Sequence, residues 1–578
     1  MKTMFYDLTA PGAEGLYNDI SGFGFVTEEN RRENEMLRIP ELNSGFIPLF
    51  WYADGDISRV VRDKRGCTLD KSLYPAAARG RLIPLCFKAD VDGVGNYRVT
   101  VEIDNTDGDN METLIYITRR RLYFKGVIAA GEKFSRSYDV NVCDFIPRGK
   151  KEVYPGKSVD IAVISEHPRL TSVKIEYIDI PTVWIAGDST LTDQIADYPY
   201  HPSAAYSGWG QMLSAFFLPG IAVSNHAHSG LTTHTFAAGG HYTIVKEHIK
   251  AGDYFLLQFA HNDQNLDFLR ADGGYRERII NYCADVKNAG AYPVIVTPLA
   301  RNSWRGGING NMEYNDLLCD YDAECKKIGA ELGIPVIGLH DYFLNIIKTH
   351  GLESAKRFYY PGDFTHTNDP GALLAATYIA AECKKLTGAG YEYLASHVGD
   401  TDIKWDALEG ITPSAPPDNF VIKANAEREA SVKTDNMRPP KTLTRAEAAD
   451  MLIKAAHFFI CNVYNDMYTD IIGHEWYAGA VQCAYQNGII PRELTPDGKY
   501  MPDSDITLLD FTVMAVSAYT SRRKLRRYDA DIPRDGVPAW ALAYVNAAME
   551  IGIIKSGDDL TAAVREDTAN EICRIMAL

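Results

Sequence analysis

Hydrophobic and polar positions change rhythm twice along the chain. Up to about residue 178 apolar and polar residues alternate in short runs: YRVTVEIDN, ETLIYITRR, SRSYDVNV, SVDIAVIS and SVKIEYIDI. Gly, Asp, Asn and Pro separate them. Alternation at period two buries one face of a strand. Many short strands with such turns predict a β-sandwich or jelly roll over 1–178. From 181 the runs become continuously apolar: TVWIA (182–186), IAVSN (221–225), DYFLLQF (253–259), YPVIVTP (292–298) and PVIGL (335–339). Unbroken apolar runs suit parallel strands covered on both faces. Helical patterns at 204–217, 240–250, 274–290 and 312–332 separate them, and DPGALLAATYIAAECKKL closes the set. The prediction is a doubly wound α/β unit with five parallel strands over 179–390.

Residues 391–440 are polar and Pro-rich (EGITPSAPPDN, NMRPPKTL) and read as a linker. The tail, 441–578, is helical and repeats itself. HEWYAGAVQCAYQNGII (474–490) and PAWALAYVNAAMEIGII (538–554) align at one offset. Trp476 pairs with Trp540, Val481 with Val545, Ala484 with Ala548, and Gly488-Ile-Ile with Gly552-Ile-Ile. That spacing describes an amphipathic helix ended by a glycine cap.

At 578 residues the chain exceeds one hydrophobic core. Its 46% hydrophobic and 23% charged residues are ordinary for a globular protein. A net charge of −17 argues against nucleic acid as a partner, since the one basic run, SRRKLRR (521–527), reads as a solvated helix end. It also means that an acidic polymer must be held locally. No window approaches the length of an apolar membrane span. The N-terminus, MKTMFYDLTAPGAEG, lacks the apolar centre of a signal peptide. Ten cysteines, Cys461 among them, show no CxxC spacing and read as buried free thiols. These features together suggest a cytoplasmic protein. Secretion or cell-surface display is the alternative if a leader has been removed.

The segment YFLLQFAHNDQ (254–264) poses the chemical question, because an apolar run stops abruptly on His261, Asn262 and Asp263. Ligands of parallel α/β sheets bind beyond the carboxyl ends of the strands. The first strand is followed by Gly187, Asp188 and Ser189, the second by Gly230, and the third by Asn262. Asp363 and His366 follow the fifth, just before the last helix. A serine hydroxyl needs a base to become nucleophilic. His366 is the candidate base, and Asp363, three positions away, can fix its tautomer. The Ser189 N–H, the Gly230 N–H and the Asn262 amide are candidate oxyanion donors, each worth about 3–4 kcal/mol. His261, Asp263 and Asp188 are expected to tie the supporting loop, because buried polar groups need partners.

Other side chains carry weaker signals. His226, His228, His234 and His241 cluster in the second loop without acidic or Cys partners at metal spacing, which sets substrate contact ahead of a metal. Trp209 and Met212 fit a core-facing helical stripe. Trp304 and Arg305, an aromatic beside a cation on a Gly-rich loop, are candidates to stack on a sugar ring.

GDST, the Gly230 loop, HND and DFTH together resemble the four blocks of the SGNH (GDSL-type) hydrolases. Within them, AGDSTLTDQ, GWGQML, NHAHSG, QFAHND, TPLARN and DFTHTNDPGA, over 181–388, resemble the rhamnogalacturonan acetylesterase family, carbohydrate esterase family 12. The resemblance implies a three-layer α/β/α fold, a Ser189-His366-Asp363 triad, and oxyanion donors at Ser189, Gly230 and Asn262. It implies no metal or organic cofactor. It further implies removal of acetyl groups from plant cell-wall polysaccharide or oligosaccharide, rhamnogalacturonan first and acetylxylan or xylo-oligosaccharide as the alternative. Residues 1–178, with GFGFV and GNYRVTVEI, resemble the accessory β domain of bacterial relatives. Two departures stand out. Leu231-Thr232-Thr233-His234 replaces the usual arginine and small polar residues, which makes Thr232 and His234 candidate sugar contacts. Ala260 replaces a glycine, and an ordinary β conformation is expected there, with the methyl near the nucleophile loop.

The tail resembles S-layer homology repeats. LTRAEAADML (443–452) carries the Thr-Arg-Ala-Glu motif that such repeats use to hold wall polysaccharide. ITLLDFTVM and VREDTANEI largely lose it, so packing or contact between copies of the chain is set ahead of wall anchoring. A non-catalytic wall-binding or carbohydrate-binding protein is the reading from another class.

Overall fold

The computed structural model describes residues 3–34, 36–39, 42, 45–46, 59–73, 82–147, 150–196, 200–306, 312–388, 390–403, 441–456, 468, 470–471, 475–520 and 533–576. The basic run at 521–527, Cys461 and most of the expected linker lie outside them.

The N-terminal strands are β1 (Met4–Asp7), β2 (Phe23–Phe25), β3 (Ile83–Asp90), β4 (Gly95–Asp104), β5 (Met111–Ile117), β6 (Arg121–Ile128), β7 (Lys133–Val142), β8 (Ser158–Ser165) and β9 (Ser172–Ile178). They form two antiparallel sheets, ordered β1-β9-β4-β7 and β2-β3-β8-β5-β6, and the shorter strands Val60–Asp63, Gly66–Leu69 and Arg169–Leu170 form a small third one. On β4 the pattern works as read: Val99, Val101 and Ile103 are buried, whereas Arg98, Thr100 and Glu102 are half-buried. The inner faces share one core, and ring contacts between Tyr6 and Phe87 (5.4 Å) and between Phe124 and Phe134 (5.0 Å) join the sheets.

The β5–β6 hairpin departs from the sequence reading, which took ETLIYITRR as one strand. The chain reverses at Thr118, Arg119 and Arg120, whose φ values are +45°, +37° and +57°. Left-handed backbone costs a non-glycine residue about 1–2 kcal/mol. Three such residues in succession must be held by contacts beyond the hairpin.

The parallel strands are β10 (Thr182–Gly187), β11 (Ala222–Asn225), β12 (Tyr254–Gln258) and β13 (Tyr292–Val296). A small hairpin, β14 (Trp304–Gly306) and β15 (Met312–Tyr314), precedes the last of them, β16 (Val336–Ile337). The sheet order is β11-β10-β12-β13-β16, so the YFLLQ run is the central strand. Every residue of β10, β11 and β12 is buried, which accounts for their unbroken apolar character.

The helices are α1 (Trp209–Met212), α2 (Thr233–Ala238), α3 (His241–His248), α4 (Arg276–Asn288), α5 (Cys319–Leu332), α6 (Leu339–Ala355), α7 (Asp369–Cys383) and α8 (Tyr391–Ser396). α2 and α6, the latter a 17-residue helix between β16 and the His366 loop, lie outside every predicted pattern, and three further elements differ from expectation. The 204–217 pattern shrinks to α1 and a following 3-10 turn, because Gly208 and Gly210 lie on Leu191, where a Cβ would come within 2.2 Å and 2.6 Å of its backbone. The 312–332 pattern splits, since Met312–Tyr314 pairs with Trp304–Gly306 before α5 begins. Within the expected linker, α8 packs on the α/β unit: Leu394 is buried, Tyr391 donates to the Pro293 carbonyl (2.7 Å), and the Gly399 N–H to that of Phe216 (2.8 Å). The unit therefore runs past 390.

The C-terminal helices α9 (Arg445–Ala455), α10 (Ala478–Gln486), α11 (Leu508–Thr520), α12 (Leu542–Ile551) and α13 (Glu566–Met576) enclose a second core. The repeat holds in structure. Gly488 and Gly552 close α10 and α12 at φ +66° and +86°, and Val481, Ala484, Val545 and Ala548 are buried. The arginine of the Thr-Arg-Ala-Glu motif is directed inward. Arg445 is buried and donates to the carbonyls of Tyr500 and Leu494 and to Asp510, each at 2.8 Å, while Thr444 and Glu447 form a capping box. Here the motif fastens the helices to one another. The C-terminal core also meets the α/β unit: Phe364 packs against it, and Arg301 donates to the Gln486 carbonyl (2.7 Å) at the end of α10.

Candidate active site

β10 ends at Gly187, where a Cβ would lie 2.4 Å from the Gln258 carbonyl, so only glycine lets the two strand ends meet. The next turn is closed by Asp188, whose Oδ1 accepts from the Thr190 N–H (3.0 Å) and hydroxyl (2.8 Å). Gln258, the polar residue inside the apolar run, braces the same turn. It accepts from the Trp209 indole (2.9 Å) and donates to the Thr190 hydroxyl (2.6 Å).

Ser189, at the tip of that turn, is 2.8 Å from His366 Nε2. His366 Nδ1 is 2.8 Å from Asp363 Oδ2, and the other carboxylate oxygen accepts from the N–H groups of Thr365 (2.7 Å) and His366 (3.0 Å). A carboxylate can only accept, so Nδ1 carries the proton and the Nε2 lone pair faces the serine hydroxyl. All three side chains are buried. The His366 loop is secured on both sides. Asn368 caps α7 by accepting from the Gly371 N–H (2.9 Å), and Thr367 exchanges hydrogen bonds with Ser207 (3.0 Å and 2.6 Å).

At the tip of β12, Asn262 donates one amide hydrogen to the Leu231 carbonyl (3.0 Å), beside Gly230. An amide has two such donors, which leaves one for a ligand. Gly230 is exposed with φ +79°, and no atom lies within 4 Å of where its Cβ would be. The space that a substrate would need is open there.

His261 and Asp263 hold this tip. His261 joins Asp188 Oδ2 (3.0 Å) to the Leu299 carbonyl (2.9 Å). Burial works against the charge of Asp188, but His261 and the Thr190 hydrogen bonds outweigh it and hold its carboxyl below the ordinary value. Asp263 accepts from the Thr233 N–H (2.9 Å) and hydroxyl (2.5 Å) and from the Ala260 N–H (3.2 Å). Burial nevertheless pushes its carboxyl up to about 7.

Ala260 does not have the ordinary β backbone that was expected. Its φ is +120°, in a region that L side chains rarely adopt. The cause is the tight reversal after β12, in which the Ala260 N–H turns to Asp263 and its carbonyl accepts from the Gln264 N–H (3.2 Å). The position keeps a glycine-like conformation with a buried methyl.

The remaining candidates divide. The Thr232 hydroxyl caps α2 by accepting from the Thr235 N–H (3.0 Å), so it is engaged in the fold. His234 stands edge-on to Phe268 (5.5 Å). Trp304 is half-buried, its indole N–H on Asn302 (2.9 Å) and its ring edge-on to Tyr314 (5.7 Å); only the backbone of Arg305 is described. His226 bonds the Ser224 hydroxyl (3.0 Å), and His228 lies beside His241 (5.4 Å between rings). Trp209 and Met212 are buried as read. The nine described cysteines are all free, seven of them buried, with Cys143 half-buried and Cys319 exposed. Sequence reasoning missed Tyr206 and Tyr360, which stack at 3.7 Å with Tyr206 edge-on to His366 (5.8 Å). No periodicity marks them, because neither lies in a regular element.

Comparison with known proteins adds independent findings. Residues 468–512 match the S-layer homology domain family. Over 230 residues the chain is 32% identical to the rhamnogalacturonan acetylesterase RhgT of Bacillus subtilis, covering 38% of this chain and 95% of the relative. It is 27% identical over 212 residues to the probable rhamnogalacturonan acetylesterase YesY of the same organism, covering 35% of this chain and 93% of the relative. The crystal structure of the B. subtilis protein YxiM aligns with 67% of this chain and all of its own length, at 21% identity and a TM-score of 0.36.

Two outcomes follow from this geometry. If Ala260 holds a glycine-only backbone, Ala260→Gly stays within about 1 kcal/mol of the parent in denaturant unfolding, whereas Ala260→Val loses more than about 2 kcal/mol. Equal tolerance of both would contradict the assigned φ. The second concerns His226 and His241. Burial first, and then the charge of Arg119, push both imidazoles below the ordinary value of 6.5, that of His241 to about 4. Between those values the unfolded chain binds more protons, so stability present above the window is lost as pH falls through it. The two histidines thus lower the thermal midpoint from pH 6.5 to 4, while Asp263, raised to about 7, contributes with the opposite sign; the histidine share is the difference between the parent and His241→Phe, and identical pH slopes of the two would refute this assignment.

Proposed function

Because the chain belongs to the rhamnogalacturonan acetylesterase family, we propose that it hydrolyses O-acetyl esters on acetylated pectic carbohydrate through Ser189, His366 and Asp363. The observation that carries this reading is the unbroken hydrogen-bond chain from the Ser189 hydroxyl to the Asp363 carboxylate, at 2.8 Å in each step. His366 Nε2 takes the hydroxyl proton as Ser189 Oγ attacks the acetyl carbonyl. Negative charge on the carbonyl oxygen meets the N–H groups of Ser189 and Gly230 and the free amide hydrogen of Asn262. The intermediate collapses to acetyl-serine, and the sugar oxygen leaves with the proton from Nε2. Water then gives its proton to the same nitrogen and attacks the acetyl group. Acetate departs and Ser189 recovers its proton. No step requires a metal or an organic cofactor.

The surroundings suit a sugar better than a long acyl chain. The Tyr206–Tyr360 stack offers an aromatic wall beside His366, and His234 and Trp304 remain candidate sugar contacts. Engagement of Thr232 in its cap removes it from that set.

The S-layer homology match points to a cell-surface or secreted protein. The cytoplasmic expectation is not supported, and the alternative replaces it. We place cell-wall contact on the C-terminal helices, using side chains other than the buried Arg445. Contact between copies of the chain has no support.

Acetate release should be measured on acetylated rhamnogalacturonan, xylan and mannan. Rhamnogalacturonan is expected to react fastest. Ser189→Ala should lower kcat by about 10⁴–10⁶-fold, and Asn262→Ala by about 10²–10³-fold. Undiminished release by Ser189→Ala sinks the mechanism. Co-sedimentation of the full chain with purified cell wall tests the location, and a chain left wholly in the supernatant would refute wall contact.

A further inference from the structure

The strained turn at the tip of the β5–β6 hairpin lies outside the α/β unit, yet its side chains end inside it. Arg120 has no solvent exposure. One of its terminal nitrogens reaches both carboxylate oxygens of Asp369 (2.9 Å and 2.8 Å), and the other donates to the carbonyls of Tyr206 (3.1 Å) and Gln194 (3.4 Å). Tyr200 donates to the same carboxylate at 2.5 Å. The neighbouring arginines converge on a different acid: Arg121 Nε lies 3.6 Å and Arg119 Nε 4.0 Å from Asp193 Oδ2. Arg121 also donates to the Val223 carbonyl, and Arg119 to that of Asn225 (3.3 Å), both in β11.

These acceptors are not scattered. Asp193 and Gln194 belong to the segment leaving Ser189, and Gln194 donates to the Ser189 carbonyl (2.8 Å). Asp369 stands three positions after His366. Tyr206 belongs to the segment that pairs with the His366 loop, and its ring touches the His366 ring edge-on. Arg120 therefore bonds at once to the segment behind Ser189, to Asp369 just after His366, and to the Tyr206 segment paired with that loop.

We propose that Arg120 of the N-terminal β region, with Arg119 and Arg121 bracing the serine side at Asp193, forms a positioning clamp that sets the separation of the serine and histidine loops. The β region is then an integral part of the esterase and not a detachable accessory. This rests on the triad reading above. A guanidinium is suited to the task because its planar fork bonds a carboxylate and carbonyls in fixed directions, which an ammonium cannot do. The clamp also explains the left-handed backbone, since contacts to three loops over-determine the turn.

The test is steady-state kinetics of the full chain on p-nitrophenyl acetate and on acetylated rhamnogalacturonan. Arg120→Lys keeps the charge and loses the fork. It should lower kcat by about 10²-fold, as a small misplacement of reacting groups does, with KM within about twofold of the parent. Arg136→Lys, on β7 and away from these loops, should leave both constants unchanged. A folded Arg120→Lys enzyme with parental kcat overturns the clamp, as does one changed only in KM. Should Arg120→Lys not unfold cooperatively, Asp369→Asn, which weakens the same bond from the histidine side, takes its place in the same measurement, and parental kcat there overturns the clamp equally. Ser189→Ala, run alongside, separates the two claims. Activity surviving in it refutes the triad, whereas its inactivity beside an unimpaired Arg120→Lys enzyme refutes the clamp alone.

Discussion

The distance of 2.8 Å between Ser189 Oγ and His366 Nε2 is the constraint that the rest of the α/β unit serves. The two residues stand 177 positions apart, on loops from opposite ends of the unit. Closing so long a loop carries a substantial entropic cost, and a displacement of about 1 Å would spoil the alignment. The sheet meets half of this demand by setting β10 beside the central strand, with Gly187 against Gln258. The other half is met from the helical side, where Asn368 caps α7 and the 206–207 segment bridges to 367–368.

A buried cluster of three arginines and two aspartates joins the β sheets to that unit. Such groups contribute little net stability, because desolvation offsets most of their attraction. Burial holds the carboxyls of Asp193 and Asp369 above their ordinary range in spite of the arginines. Their value to the structure is directional. Leaving one partner behind costs about 3–5 kcal/mol, so arrangements that separate the two regions are strongly disfavoured. Phe46, Tyr116 and Tyr200 surround the Arg120 guanidinium within 5.5 Å and exclude water from it.

Much of this was legible in the sequence, for identifiable reasons. The parallel strands showed because burial on both faces makes a run continuously apolar, and β12 kept its place at the centre. Ser189, Gly230, Asn262, Asp363 and His366 showed because each follows a strand or precedes a helix. What stayed hidden depends on partners far along the chain. Arg120 reads as the end of a strand until Asp369, 249 positions later, is placed against it. Thr232 looked like a sugar contact and is a helix cap, and Arg445, in a motif that such repeats use on wall polysaccharide, is buried in the packing role that was set ahead of anchoring. In each case the residue type was right for either task, and only packing decides. Ala260 failed differently: a methyl suggested an ordinary backbone, but the turn imposes φ +120° whatever the side chain.

Phe364 lies between Asp363 and Thr365 in the chain, and its ring packs against the core of the C-terminal helices. If the proposed wall contact and polymer binding both hold, tension between the two attachments passes through the interface that this ring helps to form. That ring is on the line of force, two positions from the His366 imidazole. The tail thus meets the chain segment of the candidate base at Phe364, beside the Arg301–Gln486 bond.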